Sequence, residues 1–174
     1  MLLILVRHAH ANSAAPGEDD ASRSLSEAGE REAAAVAERL REALEDLGST
    51  PPGILASPKR RAMETARILA RVLGTAEPAE HAALASSNDP ARLFAALPAP
   101  PNPAARGRQP AILLVGHEPD MGRALAYLLD PTWHGAIPLR TAGFAIVETE
   151  AVPPNRPGRL RRFGDAGNGA FASG

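Results

Sequence analysis

The chain opens on an unbroken apolar run, Leu2 to Val6. A run of that length without alternation fits a strand buried on both faces, as in a parallel sheet under helices. Past Ser26 the period changes. Ala33, Val36, Ala37, Leu40, Ala43, Leu44 and Leu47 recur every three or four residues and predict an amphipathic helix. Ser26 supplies an N-cap, Glu27 a first-turn acid and Gly48 a stop. Gly53-Ile54-Leu55-Ala56 predicts a short strand. A second helix follows from about Arg60 to Leu73, with Met63, Ala66, Leu69 and Leu73 on one stripe and Gly74 at its end.

Residues 98 to 110 carry Pro98, Pro100, Pro101, Pro103 and Pro110, a density of missing N–H donors that no regular element survives, so they form a linker. Ala111 to Val115 is a second buried-strand run, closed by Gly116. Met121 to Leu129 predicts a third long helix stopped by Asp130-Pro131, and Phe144 to Glu148 a later strand. A Pro/Gly/Arg-rich stretch at 153–162 follows, and the Gly/Ala-rich residues 164–174 are expected as a poorly ordered tail behind a domain of residues 1–163. No internal repeat is visible. Strands alternating with helices predict an α/β fold: one domain, three layers, with a mostly parallel central sheet and helices on both faces.

The composition narrows the function. A length of 174 residues predicts one domain. A net charge of −1 argues against nucleic acid or an anionic membrane surface as partner. The basic residues are 18 Arg and one Lys, Lys59, beside abundant Ala, which reads as genome bias that leaves most Arg on ordinary surface. There is no Cys, which excludes disulfides, thiolate metal sites and a cysteine nucleophile. The opening apolar run reaches Arg7 too soon for a signal-peptide core, and no apolar stretch approaches the ~18 residues of a membrane span. The expectation is a soluble, cytoplasmic protein; oligomeric state is left open.

In open α/β sheets the chemistry sits in loops leaving the carboxyl ends of the strands. The first strand ends in Arg7-His8-Ala9-His10, the second in Ser57-Pro58-Lys59-Arg60-Arg61-Ala62, and the Ile112 strand in Gly116-His117-Glu118-Pro119. Arg presents a planar fork matched to phosphate oxygens, and a helix starting at 57–61 adds N–H groups for an anion. A neutral His with its other nitrogen held by an acceptor can attack phosphorus. A second His, protonated, would stabilise charge in the transition state. These residue types assemble a phosphoryl-transfer site without metal or cofactor. The alternative is a metallohydrolase with His8, His10, His117, Glu118 and Asp120 as ligands, against which Arg7 and Arg61 count. No glycine-rich loop precedes Lys59, so a Walker-type site is excluded, and no Gly-x-Ser-x-Gly elbow is present. Ser57 and Thr65 are expected as helix-cap and packing residues, Lys59 and Arg60 as solvated surface. Asp19, Asp20 and Arg23 lie in a loop over the site, and Arg140-Thr141 either closes the pocket or forms a turn.

Three segments in order resemble the histidine phosphatase superfamily, also called phosphoglycerate-mutase-like: Arg-His-Ala at 7–9, Ser-Pro-x-x-Arg-Ala-x-x-Thr-Ala at 57–66 and Gly-His-Glu-Pro at 116–119. Within it, the small size and the Asp20-x-x-Arg23-x-Leu25-Ser26-x-x-Gly29 stretch resemble the SixA-type phosphohistidine phosphatases. The resemblance implies His8 as nucleophile, Arg7 and Arg61 as phosphate clamps and His117 as the second histidine holding the phosphoryl group. His10 and Glu118 are candidate substrate contacts on the rim. Larger family members carry a glutamate acid after the second helix; here Ala82 to Asp89 has no Glu after Leu84, leaving Asp89 a weak substitute and Glu80 a weaker one. A phosphoramidate leaves more readily than an alkoxide, so the missing acid favours phosphohistidine or another activated phosphate and argues against a mutase. The resemblance thus implies a phosphatase acting on phosphohistidine, on a protein or otherwise. The alternatives are a broad small-molecule phosphomonoesterase or a phosphate-binding module without catalysis.

Overall fold

Leu2, Ile4 and Val6 face one apolar core, while Leu3 and Leu5 face another, and all five are fully buried. That is why the first strand shows no alternation: there is no wet side. A computed structural model describes residues 1–49, 52–85, 89–98 and 108–167, with the backbone of 169 and 170. It comprises β1 (Leu2–Arg7), α1 (Glu27–Asp46), β2 (Gly53–Ala56), α2 (Arg60–Leu73), β3 (Ala79–Glu80), α3 (Pro90–Ala95), β4 (Ala111–Gly116), α4 (Asp120–Leu129), β5 (Phe144–Glu148), β6 (Arg159–Gly164) and β7 (Gly169–Ala170).

The strands form one sheet in the order β3-β2-β4-β1-β5-β6-β7. β3, β2, β4 and β1 run parallel; β5, β6 and β7 add an antiparallel edge. Helices cover both faces, as expected. On one, α1 and α2 bury Val36, Leu40, Leu69 and Ala66 against the sheet; on the other, α3 and α4 bury Leu93, Phe94, Met121 and Leu125. Each fully buried Leu or Phe contributes about 2 kcal/mol through removal of apolar surface from water.

Two of the helix boundaries predicted from sequence, at Ser26 and Gly74, are in place. The Ser26 side chain accepts from the Gly29 amide at the start of α1, and Gly74 ends α2 with φ +64, a left-handed conformation that favours glycine. Four elements lie outside the sequence reading, one of them the two-residue β3. α3 is six residues long, capped by Asp89 and opened by Pro90. β6 falls partly within the Pro/Gly/Arg-rich stretch, and a register shift opposite Ile146 and Val147 breaks its alternation, so that Leu160 and Phe163, three residues apart, both reach the second core. β7 lies within the expected tail and pairs with Phe163 and Gly164; residues 168 and 171–174 lie outside the described residues, as do 99–107 of the predicted linker. No helix among the described residues is long and apolar enough to cross a membrane.

Candidate active site

Strand register brings the predicted segments together. Arg7 pairs with Gly116 across β1 and β4, and Ala56 pairs with Val115 across β2 and β4. The ladder continues past the strand ends: His8 N–H donates to the Gly116 carbonyl at 3.0 Å, and Ser57 N–H to the Val115 carbonyl at 2.9 Å. His8, Ser57 and His117 therefore start side by side on one sheet edge.

The His8 ring is fixed at both nitrogens. Nδ1–H donates to the Ala9 carbonyl at 2.8 Å, which leaves Nε2 as the bare acceptor, and Arg61 Nε–H donates to that Nε2 at 3.2 Å. Thr65 ties these parts together from inside α2. Its hydroxyl donates to the Arg61 carbonyl at 2.7 Å and accepts from Ala9 N–H at 3.1 Å. Burial lowers the pKa of His8 to about 4, with Arg61, Arg7 and Arg23 pushing the same way against the Ala9 hydrogen bond. The ring is neutral at pH 7, as a nucleophile requires.

The His117 ring lies 4.9 Å from that of His8, centroid to centroid, tilted by 59°. In the free protein its charge differs from that expected of a second histidine donating to a phosphoryl oxygen. Burial first, then the positive surroundings of His8, Arg61 and Lys59, lower its pKa to about 3. Both causes disfavour a proton on this ring in the free protein, with Asp20 opposing them. His117 acts instead as a neutral imidazole. Its Nε2 shares a 2.8 Å hydrogen bond with Ser57 Oγ, and its buried Nδ1 has no hydrogen-bond partner. Ser57 is fully buried and also accepts from Lys59 N–H at 3.3 Å; α2 itself starts without a side-chain cap. The cap role expected of Ser57 is thus replaced by a bond to His117. The signal was available, since Ser57 follows β2 directly, one strand over from His117.

Arg7 leaves the sheet edge toward the loop before β5. Its Nη1 donates to the Leu139 carbonyl at 3.0 Å, and its buried Nε is unpartnered. Glu118 braces the same loop, accepting from Leu139 N–H at 2.9 Å; burial pushes its carboxyl up, opposed by that amide and by Arg7. Asp20, in a one-turn 3-10 helix at Asp20–Ser22, reaches into the site. Its carbonyl accepts from Arg61 Nη1 at 2.6 Å, and its carboxylate meets Arg61 at 2.9 Å, Arg23 at 3.0 Å and Lys59 at 3.3 Å. Arg61, then Arg23, hold the Asp20 carboxyl well below the usual carboxylate range.

Other candidates turn elsewhere. His10 is exposed at the start of α1, its N–H donating to Glu32 at 3.1 Å and its ring sharing a 2.9 Å hydrogen bond with Ser26. Extended backbone would have aimed it alongside His8, but β1 has ended by then. Lys59, expected as solvated surface, joins the site through Asp20, whereas Arg60 pairs with Glu64 on the outer side of α2. Arg140 pairs with Asp165. The Asp89 carboxylate accepts from Ala91 and Arg92 N–H at the start of α3, and Glu80 is exposed on β3; residues 86–88, between them, lie outside the described residues. Among the described residues no three His, Cys, Asp or Glu gather to hold a metal ion.

Comparison with known proteins gives this arrangement a context. A family model described as histidine phosphatase superfamily (branch 1) matches residues 3–87. A crystal structure from Agrobacterium tumefaciens, assigned as the phosphohistidine phosphatase SixA, is 26% identical, covers 93% of this chain and 96% of its own, and has a TM-score of 0.67. The protein histidine phosphatase SixA complexed with tungstate is 20% identical over 97% and 99% of the two chains, with a TM-score of 0.72. A protein from Nakamurella multipartitia with the same SixA assignment shares the fold at 20% identity and a TM-score of 0.66, over 99% and 96% of the chains. No curated protein matches the chain by sequence.

Proposed function

The chain belongs to the histidine phosphatase superfamily and is a phosphatase, and from that premise we propose that it hydrolyses phosphohistidine through a covalent phosphate on His8. The observation that carries this reading is the state of His8: a neutral ring, Nδ1–H committed to the Ala9 carbonyl, Nε2 bare beside the Arg61 guanidinium. A lone pair fixed in direction and held next to a cation is suited to in-line attack on an anionic phosphoryl group.

The cycle follows from those groups. The His8 Nε2 lone pair forms a bond to phosphorus as the bond from phosphorus to the substrate nitrogen breaks, and that nitrogen leaves with the electron pair, the substrate ring taking a proton from solvent. Arg61 and Arg7 offset the charge on the phosphoryl oxygens, and neutral His117 sits across from His8 as a further polar contact. Water then attacks phosphorus, the His8–phosphorus bond breaks, inorganic phosphate leaves, and the water proton goes to solvent. The Ala9 carbonyl keeps Nδ1–H in place through both steps and stabilises the positive charge on the phosphorylated ring.

The substrate class rests on proton supply. Asp89 is committed to its helix cap, Glu80 is exposed, and Asp20 is ionised against three cations. A phosphoramidate nitrogen needs less help from an acid than an alkoxide does. The SixA neighbours, named as phosphohistidine or protein histidine phosphatases, support the same choice. Initial rates on a phosphohistidine peptide, p-nitrophenyl phosphate and 3-phosphoglycerate test it. The peptide is expected to show the highest kcat/KM by roughly tenfold or more. Equal or better turnover of the esters would replace the reading with that of a broad phosphomonoesterase.

A further inference from the structure

All three nitrogens of the Arg61 guanidinium have hydrogen-bond partners in the free protein, and two of the three bonds go to one residue. Nε–H points at the His8 lone pair, while Nη1 and Nη2 close on the carbonyl and carboxylate oxygens of Asp20 at 2.6 and 2.9 Å. Two oxygens on one face of a planar fork is the arrangement that two phosphoryl oxygens would take. We propose that Asp20 is a built-in competitor for the substrate phosphoryl group, occupying Arg61 in the free enzyme and yielding it when phosphoryl oxygens arrive. This rests on reading Arg7, His8, Arg61 and His117 as the phosphoryl site.

The two partners differ in their freedom to move. The Arg61 side chain is 7% exposed and anchored in α2, whereas that of Asp20 is 53% exposed. Asp20 sits in a one-turn helix with no buried residue, held by local bonds such as Ser22 Oγ–H to Glu18 at 3.0 Å. Swinging its carboxylate into water therefore disturbs no core. Arg23 and Lys59 share the same carboxylate, so its departure would leave three cations facing one incoming dianion. Asp20 thereby sets the affinity of the site: a dianionic phosphoryl group outcompetes a single carboxylate, and a weaker anion does not.

The test is the binding of inorganic phosphate to the intact chain by calorimetry, with KM and kcat on the best substrate measured alongside. Asp20→Asn and Asp20→Ala keep the backbone carbonyl and remove the competing charge. Both are expected to bind phosphate about fivefold tighter, the scale of a partly exposed ion pair, with KM lowered and kcat retained. Asp19→Asn removes one charge from the neighbouring residue, whose side chain makes none of these contacts, and is expected to stay within about twofold of wild type. Unchanged or weaker binding in the Asp20 variants would overturn the proposal, and a fall in kcat would show Asp20 to be a support for Arg61. An equal gain in Asp19→Asn would reduce the effect to a general field and overturn it too. Phosphate binding by none of the proteins would bring down the phosphoryl-site reading along with it.

Discussion

At His8 burial and three neighbouring guanidiniums act in the same direction, and only the Ala9 hydrogen bond opposes them. The free-enzyme pH profile should reflect the result. kcat/KM is expected to hold level from about pH 5 upward and to fall near pH 4, as Nε2 takes up a proton and ceases to be a nucleophile. An acid limb centred near the ordinary histidine value of 6.5 would contradict it. Stability should move the same way. Both His8 and His117 have lowered folded-state values, so between pH 6.5 and about 4 the unfolded chain binds more protons than the native one. Stability then rises with pH across that window, which urea midpoints measured from pH 4 to 7 would detect. The positions of Arg7, His8, Arg61 and His117 were legible because each lies at or just past a strand end or at a helix start. The charge of His117 was not, since it depends on neighbours brought in from β1 and α2.

Among the elements, α1 and α2 show how a helix can serve a site whose residues it barely carries. Thr65 links the Ala9 amide to the Arg61 carbonyl, so α2 positions the His8 segment and the guanidinium as one unit. α1 meets the other side of the same loop. The His10 carbonyl accepts from Ser26 N–H at 3.0 Å and lies so close over Gly29 that a side-chain carbon there would collide with it. Gly29→Ala should therefore destabilise the fold by about 2 kcal/mol, as backbone with no room to yield is pushed aside. A urea melt at wild-type stability would refute this contact. The hydrophobic period revealed α1, α2 and α4 because each buries one apolar stripe. It did not reveal α3, β3 or β7, elements of two to six residues in which periodicity has no room to appear. It missed β6 for another reason: three arginines fill a strand between β5 and β7 whose alternation a register shift interrupts.

Taken whole, the molecule has a net charge of −1 and yet gathers Arg7, Arg23, Lys59 and Arg61 at one end of its sheet, with Asp20 among them. The arginine excess could not single these out; strand order does, by setting β2, β4 and β1 side by side. The absence of cysteine excludes a thiol nucleophile at that edge. Everything proposed for the site depends on phosphate passing through His8 Nε2. The direct test is to quench the enzyme during turnover of a 32P-labelled phosphohistidine peptide and look for label on the chain, stable in alkali and released by acid as a phosphoramidate should be. The account predicts label on the peptide containing His8 and none in His8→Ala. Turnover that proceeds undiminished in His8→Ala, or label carried by any other residue, would contradict it.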